Sequence, residues 1–96
     1  MKNSKYYEDL AVGILEQKGF NNIKVLGKPY DIEAEKDGLK YAIEVKGSDI
    51  SFTTSWSQVK QMYFDHFLLK DHRVLLMFVT EEGYYCIFQM TDAVIV

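Results

Sequence analysis

Two carboxylates and a lysine, at Asp31, Glu44 and Lys46, are the residues of this 96-residue chain whose types and spacing most clearly suggest chemistry. Two alternating runs flank Asp37-Gly38, a dipeptide that is typical of a two-residue hairpin loop. In the register that such a loop sets, Asp31 lies directly across from Glu44. Lys46 lies two positions beyond Glu44, on the same face of the strand. The hairpin therefore predicts one sheet face that carries two acids and an ammonium group.

Facing carboxylates need a counter-charge. Like charges that lie directly opposite each other destabilise a sheet, since their Cβ atoms are only about 5 Å apart. A divalent cation is the simplest compensation, and a hard metal held there can place a nucleophilic water beside a phosphate. The competing interpretation is that both acids lie on a solvated face and bind nothing. Lys46 would then be a surface lysine that pairs with one of them, an interaction of about 0–1 kcal/mol.

Length and composition limit the class of protein. Ninety-six residues predict one domain, residues 1–96, and 48% hydrophobic with 15% aromatic residues predicts a folded globular one. We expect no membrane span and no signal peptide, because no apolar run is long enough. A single cysteine, Cys86, predicts a buried thiol in a reducing compartment, hence an intracellular, cytoplasmic protein. The net charge of −3 argues mildly against nucleic-acid binding, although bound cations would cancel part of it.

The elements that must position these residues can be assigned from apolar periodicity and turn signals. Asn3 or Ser4 can begin the first helix and Gly19 can end it, while Asn21-Asn22 predicts a turn. A buried central strand and an edge strand are expected near the end of the chain. The predicted order is α-β-β-β-α-β-β, an α/β fold with a mixed central sheet flanked by helices. The predicted ranges are a helix over 5–18, a strand over 23–25, the hairpin strands over 30–36 and 39–46, a helix over 56–69, and strands over 74–79 and 84–90.

Several of these features occur together in a known pattern. An acidic residue, Glu8, lies early in the first helix, and Gly19-Phe20 follows that helix. Asp31 opens the second strand, and the third strand carries Glu44-Val45-Lys46. In these positions the chain resembles the PD-(D/E)xK nuclease superfamily, which has the restriction-endonuclease-like fold. Within it, the chain is most similar to the small archaeal-type Holliday junction resolvases.

The resemblance implies a role for each motif residue. Asp31, Glu44 and the main-chain carbonyl of Val45 would bind Mg²⁺ or Mn²⁺ together with water. Lys46 would orient the attacking water and stabilise the charged transition state. Glu8 would touch the metal through water, although it can also be an ordinary first-turn glutamate that favours the helix dipole.

Two further residues are supporting candidates outside the motif. Gln58 can reach the site from the start of the second helix, or it can form a capping box with Ser55. Ser48 follows the motif closely. His66 and His72 are expected to be structural or exposed.

The resemblance implies a metal-dependent endodeoxyribonuclease that hydrolyses phosphodiester bonds of branched or structured DNA, in DNA recombination and repair. It also implies a homodimer, for which the apolar tail 93–96 and the edge strand offer a surface. The alternative is a non-catalytic module that keeps the nuclease fold and binds a protein partner or a DNA structure. The acidic charge favours this alternative, and the complete set of Asp31, Glu44 and Lys46 argues against it.

Overall fold

One helix and five strands make up the part of the chain that the computed structural model describes, residues 2–47 and 71–89. The strands form one mixed sheet in the order β1-β2-β3-β4-β5, in which only β3 and β4 are parallel. The α/β class and the mixed sheet are therefore confirmed. The predicted second helix, Gln58, Ser48 and the tail 93–96 lie outside the described residues. The elements are α1 Ser4–Gln17, β1 Asn21–Val25, β2 Ile32–Lys36, β3 Leu39–Gly47, β4 His72–Val79 and β5 Tyr85–Gln89.

The hairpin between β2 and β3 has the predicted loop and register. Asp37 and Gly38 both have positive φ, at 52° and 78°, as a two-residue loop of this kind requires. Lys36 pairs with Leu39, and the ladder continues to Ile32 opposite Ile43. Asp31 immediately precedes the first residue of β2.

Helix α1 covers one face of the sheet. The side chain of Asn3 caps its start by accepting a hydrogen bond from the Tyr6 N–H at 3.0 Å, and Gly19 follows its end at φ 92°. Tyr7, Ala11 and Leu15, each four residues after the last, are buried against the sheet. The core beneath them contains, among others, Ile32, Ala34, Ile43, Val45, Leu75, Met77 and Val79.

Strand β4 is the buried strand that the apolar run predicts. Val74, Leu75, Leu76 and Met77 are all at most 5% exposed, so both faces of the strand are covered. Its parallel register places Glu44 beside Leu76 and Lys46 beside Phe78. The strand begins at His72, two residues earlier than predicted.

Two local predictions are wrong. Asn21 and Asn22 belong to β1 and do not form a separate turn, because a register irregularity with Asn22 at φ 48° absorbs the bend within the strand. Cys86 is exposed, because β5 lies at the end of the described sheet and Cys86 points away from the face on which Ile87 packs. Within the described segments, no helix is long and apolar enough to cross a membrane.

Candidate active site

The carboxyl groups of Asp31 and Glu44 meet at the start of β2. Asp31 is held there by the main chain of β3, because the Val45 N–H donates to its Oδ2 at 2.8 Å. Glu44 reaches Asp31 from the middle of β3, and its protonated carboxyl donates a hydrogen bond to the Asp31 carboxylate. The structure therefore brings together the two acids that the hairpin register places opposite each other.

The electrostatics of Glu44 reflect this crowding. Burial, followed by the hydrogen bond and the charge of Asp31, raises the pKa of Glu44 from 4.5 to about 8, while Lys46 works in the opposite direction. The Glu44 side chain is only 14% exposed, so water screens it poorly. At neutral pH Glu44 therefore keeps its proton, which is shared with Asp31 in a hydrogen bond. A divalent cation can replace that proton.

Lys46 supplies the positive charge nearest to Glu44 in the described part of the chain. Its Nζ lies 4.0 Å from Glu44 Oε1, and its side chain is only 15% exposed. The pairing with Glu44 that the competing interpretation expected is therefore present, but this lysine is not a surface one. At 4.0 Å the Lys46 ammonium is too far from Glu44 for a strong hydrogen bond, but its positive charge still attracts the Glu44 carboxylate.

Glu8 approaches the same acids from α1. It lies one residue past the first helical turn, and that turn contains no acidic residue, so the helix-dipole interpretation is wrong. Burial, and then the charge of Asp31, raise the pKa of Glu8. Glu8 in turn contributes to the raised pKa of Glu44. Three acids from α1, the start of β2 and β3 thus influence one another.

The main chain of Val45 completes an oxygen-rich arrangement. In an extended strand the N–H and C=O of one residue point toward the same neighbouring strand. Because the Val45 N–H points at Asp31, the Val45 carbonyl faces the same side of β3. Two carboxylates and a carbonyl are the donor types that Mg²⁺ and Mn²⁺ prefer.

The residues therefore fit a hard divalent cation that keeps several waters. Within residues 2–47 and 71–89, no three His, Cys, Asp or Glu side chains converge as a protein-only metal cage would require. The predicted set needs only two such side chains, because Mg²⁺ is commonly bound through one or two carboxylates plus water and substrate phosphate. The fit thus rests on the donor chemistry and on the raised pKa of Glu44.

A polar cluster next to Asp31 was not predicted. His72, which the predicted ranges leave between the second helix and the buried strand, is the first residue of β4 and only 8% exposed. Its Nδ1 lies 2.8 Å from Asp71 Oδ1, and its Nε2 lies 3.4 Å from Glu33 Oε1 and 3.5 Å from the Tyr30 hydroxyl. Tyr30 directly precedes Asp31, so this cluster ties the start of β2 to β4. The signal for it was the alternation of His72, Val74 and Leu76, which places all three on one face.

Glu35 and Lys40 do not form an ion pair with each other. They occupy opposite positions in the hairpin, but Asn22 donates a hydrogen bond to Glu35, and the Lys40 Nζ lies 3.9 Å from Asp71. Neither residue touches the acid pair. Gln58 and Ser48, the two supporting candidates, lie outside the described residues.

The chain was also compared with known proteins. No protein-family model matches it, and no curated protein matches it.

Proposed function

We propose that this protein is a metal-dependent endonuclease of the PD-(D/E)xK type that hydrolyses phosphodiester bonds in DNA, with branched or structured DNA as its substrate. The observation that carries the proposal is the partly buried contact between Asp31 and Glu44 beside Lys46. Such a group of charges contributes little to folding and costs free energy when both acids are ionised. A bound divalent cation offsets that cost.

When bound, Mg²⁺ or Mn²⁺ would activate water and neutralise charge on the scissile phosphate. The residues of the chain have separate tasks around it. Asp31, Glu44 and the Val45 carbonyl would hold the ion, and the Val45 N–H fixes the position of Asp31. Lys46 would orient the attacking water and stabilise the negative charge that develops on the phosphate oxygens. Glu8 would act through water at the edge of the site.

Homodimer formation belongs to the same proposal. Two cuts in opposing strands of a four-way structure require two sites, which a symmetric pair of chains supplies. Tyr84 directly precedes β5 and is 75% exposed, and Phe88 lies within β5 and is 48% exposed. Because β5 lies at the end of the described sheet, these two rings offer a contact surface. An intracellular setting would suit the exposed free thiol of Cys86.

Cleavage assays on four-way junction, flap, single-stranded and linear duplex DNA test the proposal. We expect cleavage of the branched substrates with Mg²⁺ or Mn²⁺ and none with EDTA. Asp31→Asn and Lys46→Ala should each reduce the rate at least about 100-fold, because each removes a group that acts on the reacting atoms.

Matched controls keep the test specific. Asp9→Asn changes an exposed acid of α1, and Lys24→Ala changes an exposed lysine of β1, so both should retain the activity of the unmodified protein. Cleavage that survives Asp31→Asn and Lys46→Ala would reject the assigned site. Binding of a junction without any metal-dependent cleavage would favour the non-catalytic module, and mass in solution tests the dimer.

A further inference from the structure

A concave feature lies away from the acid pair, lined by residues of β2, β3, β4 and β5 and by Lys18 and Phe20, which follow α1. It is a groove with a volume of about 520 Å³. Leu75 and Ile87 contribute apolar residues to its lining, and Gln89 contributes a polar one. Among the lining residues that the structure describes, none belongs to the proposed active site.

Two lysines of the groove are held in place by aromatic rings. The Lys18 Nζ lies 5.5 Å from the centre of the Tyr85 ring, and the Lys36 Nζ lies 5.3 Å from the centre of the Phe20 ring. Lys18 is the C-cap residue that follows α1, and Lys36 is the last residue of β2. Within the described segments neither ammonium forms an ion pair with a carboxylate. Both charges are therefore available to an anion.

The aromatic residues differ in what they can offer. Phe20 is 9% exposed and packs edge-on against Tyr41 with ring centres 5.2 Å apart, so these two rings form part of the groove wall. Tyr85 is 43% exposed and can accept a planar ring against its free surface. With Asp37 as the one acid among the lining residues described, the groove is net positive in a chain whose net charge is −3.

We propose that this groove binds a nucleotide of a single-stranded nucleic acid, with the base stacked on Tyr85 and the phosphate held by Lys18 and Lys36. An exposed ring, an amide and two ammonium groups without a carboxylate partner in the described segments match the base and phosphate of one nucleotide better than they match a second protein chain. The inference rests on the proposed function in one respect, namely that the strand belongs to the DNA substrate. Binding itself needs neither metal nor cleavage.

Fluorescence anisotropy with a labelled oligothymidylate of about eight nucleotides, in EDTA and at low salt, tests the groove. The double variant Lys18→Gln/Lys36→Gln should bind about ten-fold more weakly. The slope of log K against log salt should fall by about 0.7, since both lysines hold one phosphate and that contact is lost. Tyr85→Leu should also weaken binding about ten-fold, and Tyr85→Phe should bind as the unmodified protein does.

The control is Lys24→Gln/Lys28→Gln, which removes the same charge from β1 and the loop that follows it. An equal loss in this control would overturn the proposal, because binding would then depend on net charge alone. Unchanged binding by Tyr85→Leu, or no binding by the unmodified protein, would also overturn it. If, in addition, the chain self-associates and Tyr85→Leu prevents this, the groove is a contact between copies.

The outcome is separable from that of the active site. Asp31→Asn should bind the oligonucleotide normally, because Asp31 lies outside the groove. If the unmodified protein binds the oligonucleotide but cleaves no DNA, the proposed hydrolysis is rejected and the proposed nucleotide site in the groove is retained. Thermal unfolding of every variant, followed by circular dichroism, confirms that each one folds.

Discussion

Replacing Glu44 by glutamine should stabilise the metal-free protein at alkaline pH. In the folded state the pKa of Glu44 is raised to about 8, whereas in the unfolded chain it returns to 4.5. Between these two values the unfolded state loses the proton and the folded state keeps it, so the free energy of unfolding falls as pH rises. Below pH 4.5 both states are protonated, and above pH 8 the full cost is present.

The magnitude follows from the interval between the two pKa values. Each tenfold change in proton affinity corresponds to about 1.4 kcal/mol, which sets an upper limit of about 5 kcal/mol on the stability lost between pH 4.5 and 8. Rearrangement around the Glu44 carboxylate reduces this, so we expect a loss of about 2–3 kcal/mol. The amide that Glu44→Gln introduces carries no charge at any pH and can still donate a hydrogen bond to Asp31.

Urea denaturation between pH 5 and pH 9 measures the effect. The difference in stability between Glu44→Gln and the unmodified protein should grow by about 2–3 kcal/mol across this range, which corresponds to a rise of roughly 10–15 °C in Tm. Glu82→Gln, a matched change in the exposed turn before β5, should follow the unmodified protein at every pH. Mg²⁺ should stabilise the unmodified protein at pH 9 and leave Glu44→Gln nearly unchanged. Parallel pH profiles for Glu44→Gln and the unmodified protein would contradict the raised pKa of Glu44 in the folded state.

Three further predictions concern proton release, the core and the hairpin. Binding of Mg²⁺ at pH 7 should release about 0.9 proton from Glu44, measured by calorimetry in buffers of different ionisation enthalpy; a value near zero would mean that Glu44 does not ionise for the metal. Met77→Ala should lower the free energy of unfolding by about 2–5 kcal/mol in urea, because Met77 is fully buried, and a loss under about 1 kcal/mol would contradict its place in the core. Gly38→Ala should cost about 1–2 kcal/mol, because Gly38 has a φ of 78°, while Asp37→Gly should cost less; equal losses would contradict the assigned loop.

Local signals explain why the hairpin and the first helix were predictable. The Asp37-Gly38 loop restricts φ at two adjacent residues, so it sets the pairing of β2 with β3 without help from the rest of the chain. The apolar spacing of Tyr7, Ala11 and Leu15 likewise determines which side of α1 faces the sheet. Because Asp31 and Glu44 lie on this hairpin, their proximity could be predicted with it.

Features that depend on packing between distant segments could not be predicted in this way. His72 is buried because Tyr30 and Glu33 contact it from β2 and the residues just before it. The apolar run that begins at Val74 gives no sign of these partners. Cys86 is exposed because of the position of β5 in the sheet, which its own apolar neighbours do not indicate.

The groove likewise depends on packing between segments that are distant in the sequence. Lys18, Lys36 and Tyr85 come from three separate elements, and only the folded sheet brings them together.

Titration with Mn²⁺ followed by electron paramagnetic resonance, at pH 8 and without DNA, tests whether Asp31 and Glu44 form a metal site. We expect the unmodified protein to bind Mn²⁺ in competition with Mg²⁺, Asp31→Asn to lose this binding, and Asp9→Asn to retain it. Equal binding by all three proteins, or binding by none of them, would contradict a metal site built on Asp31 and Glu44.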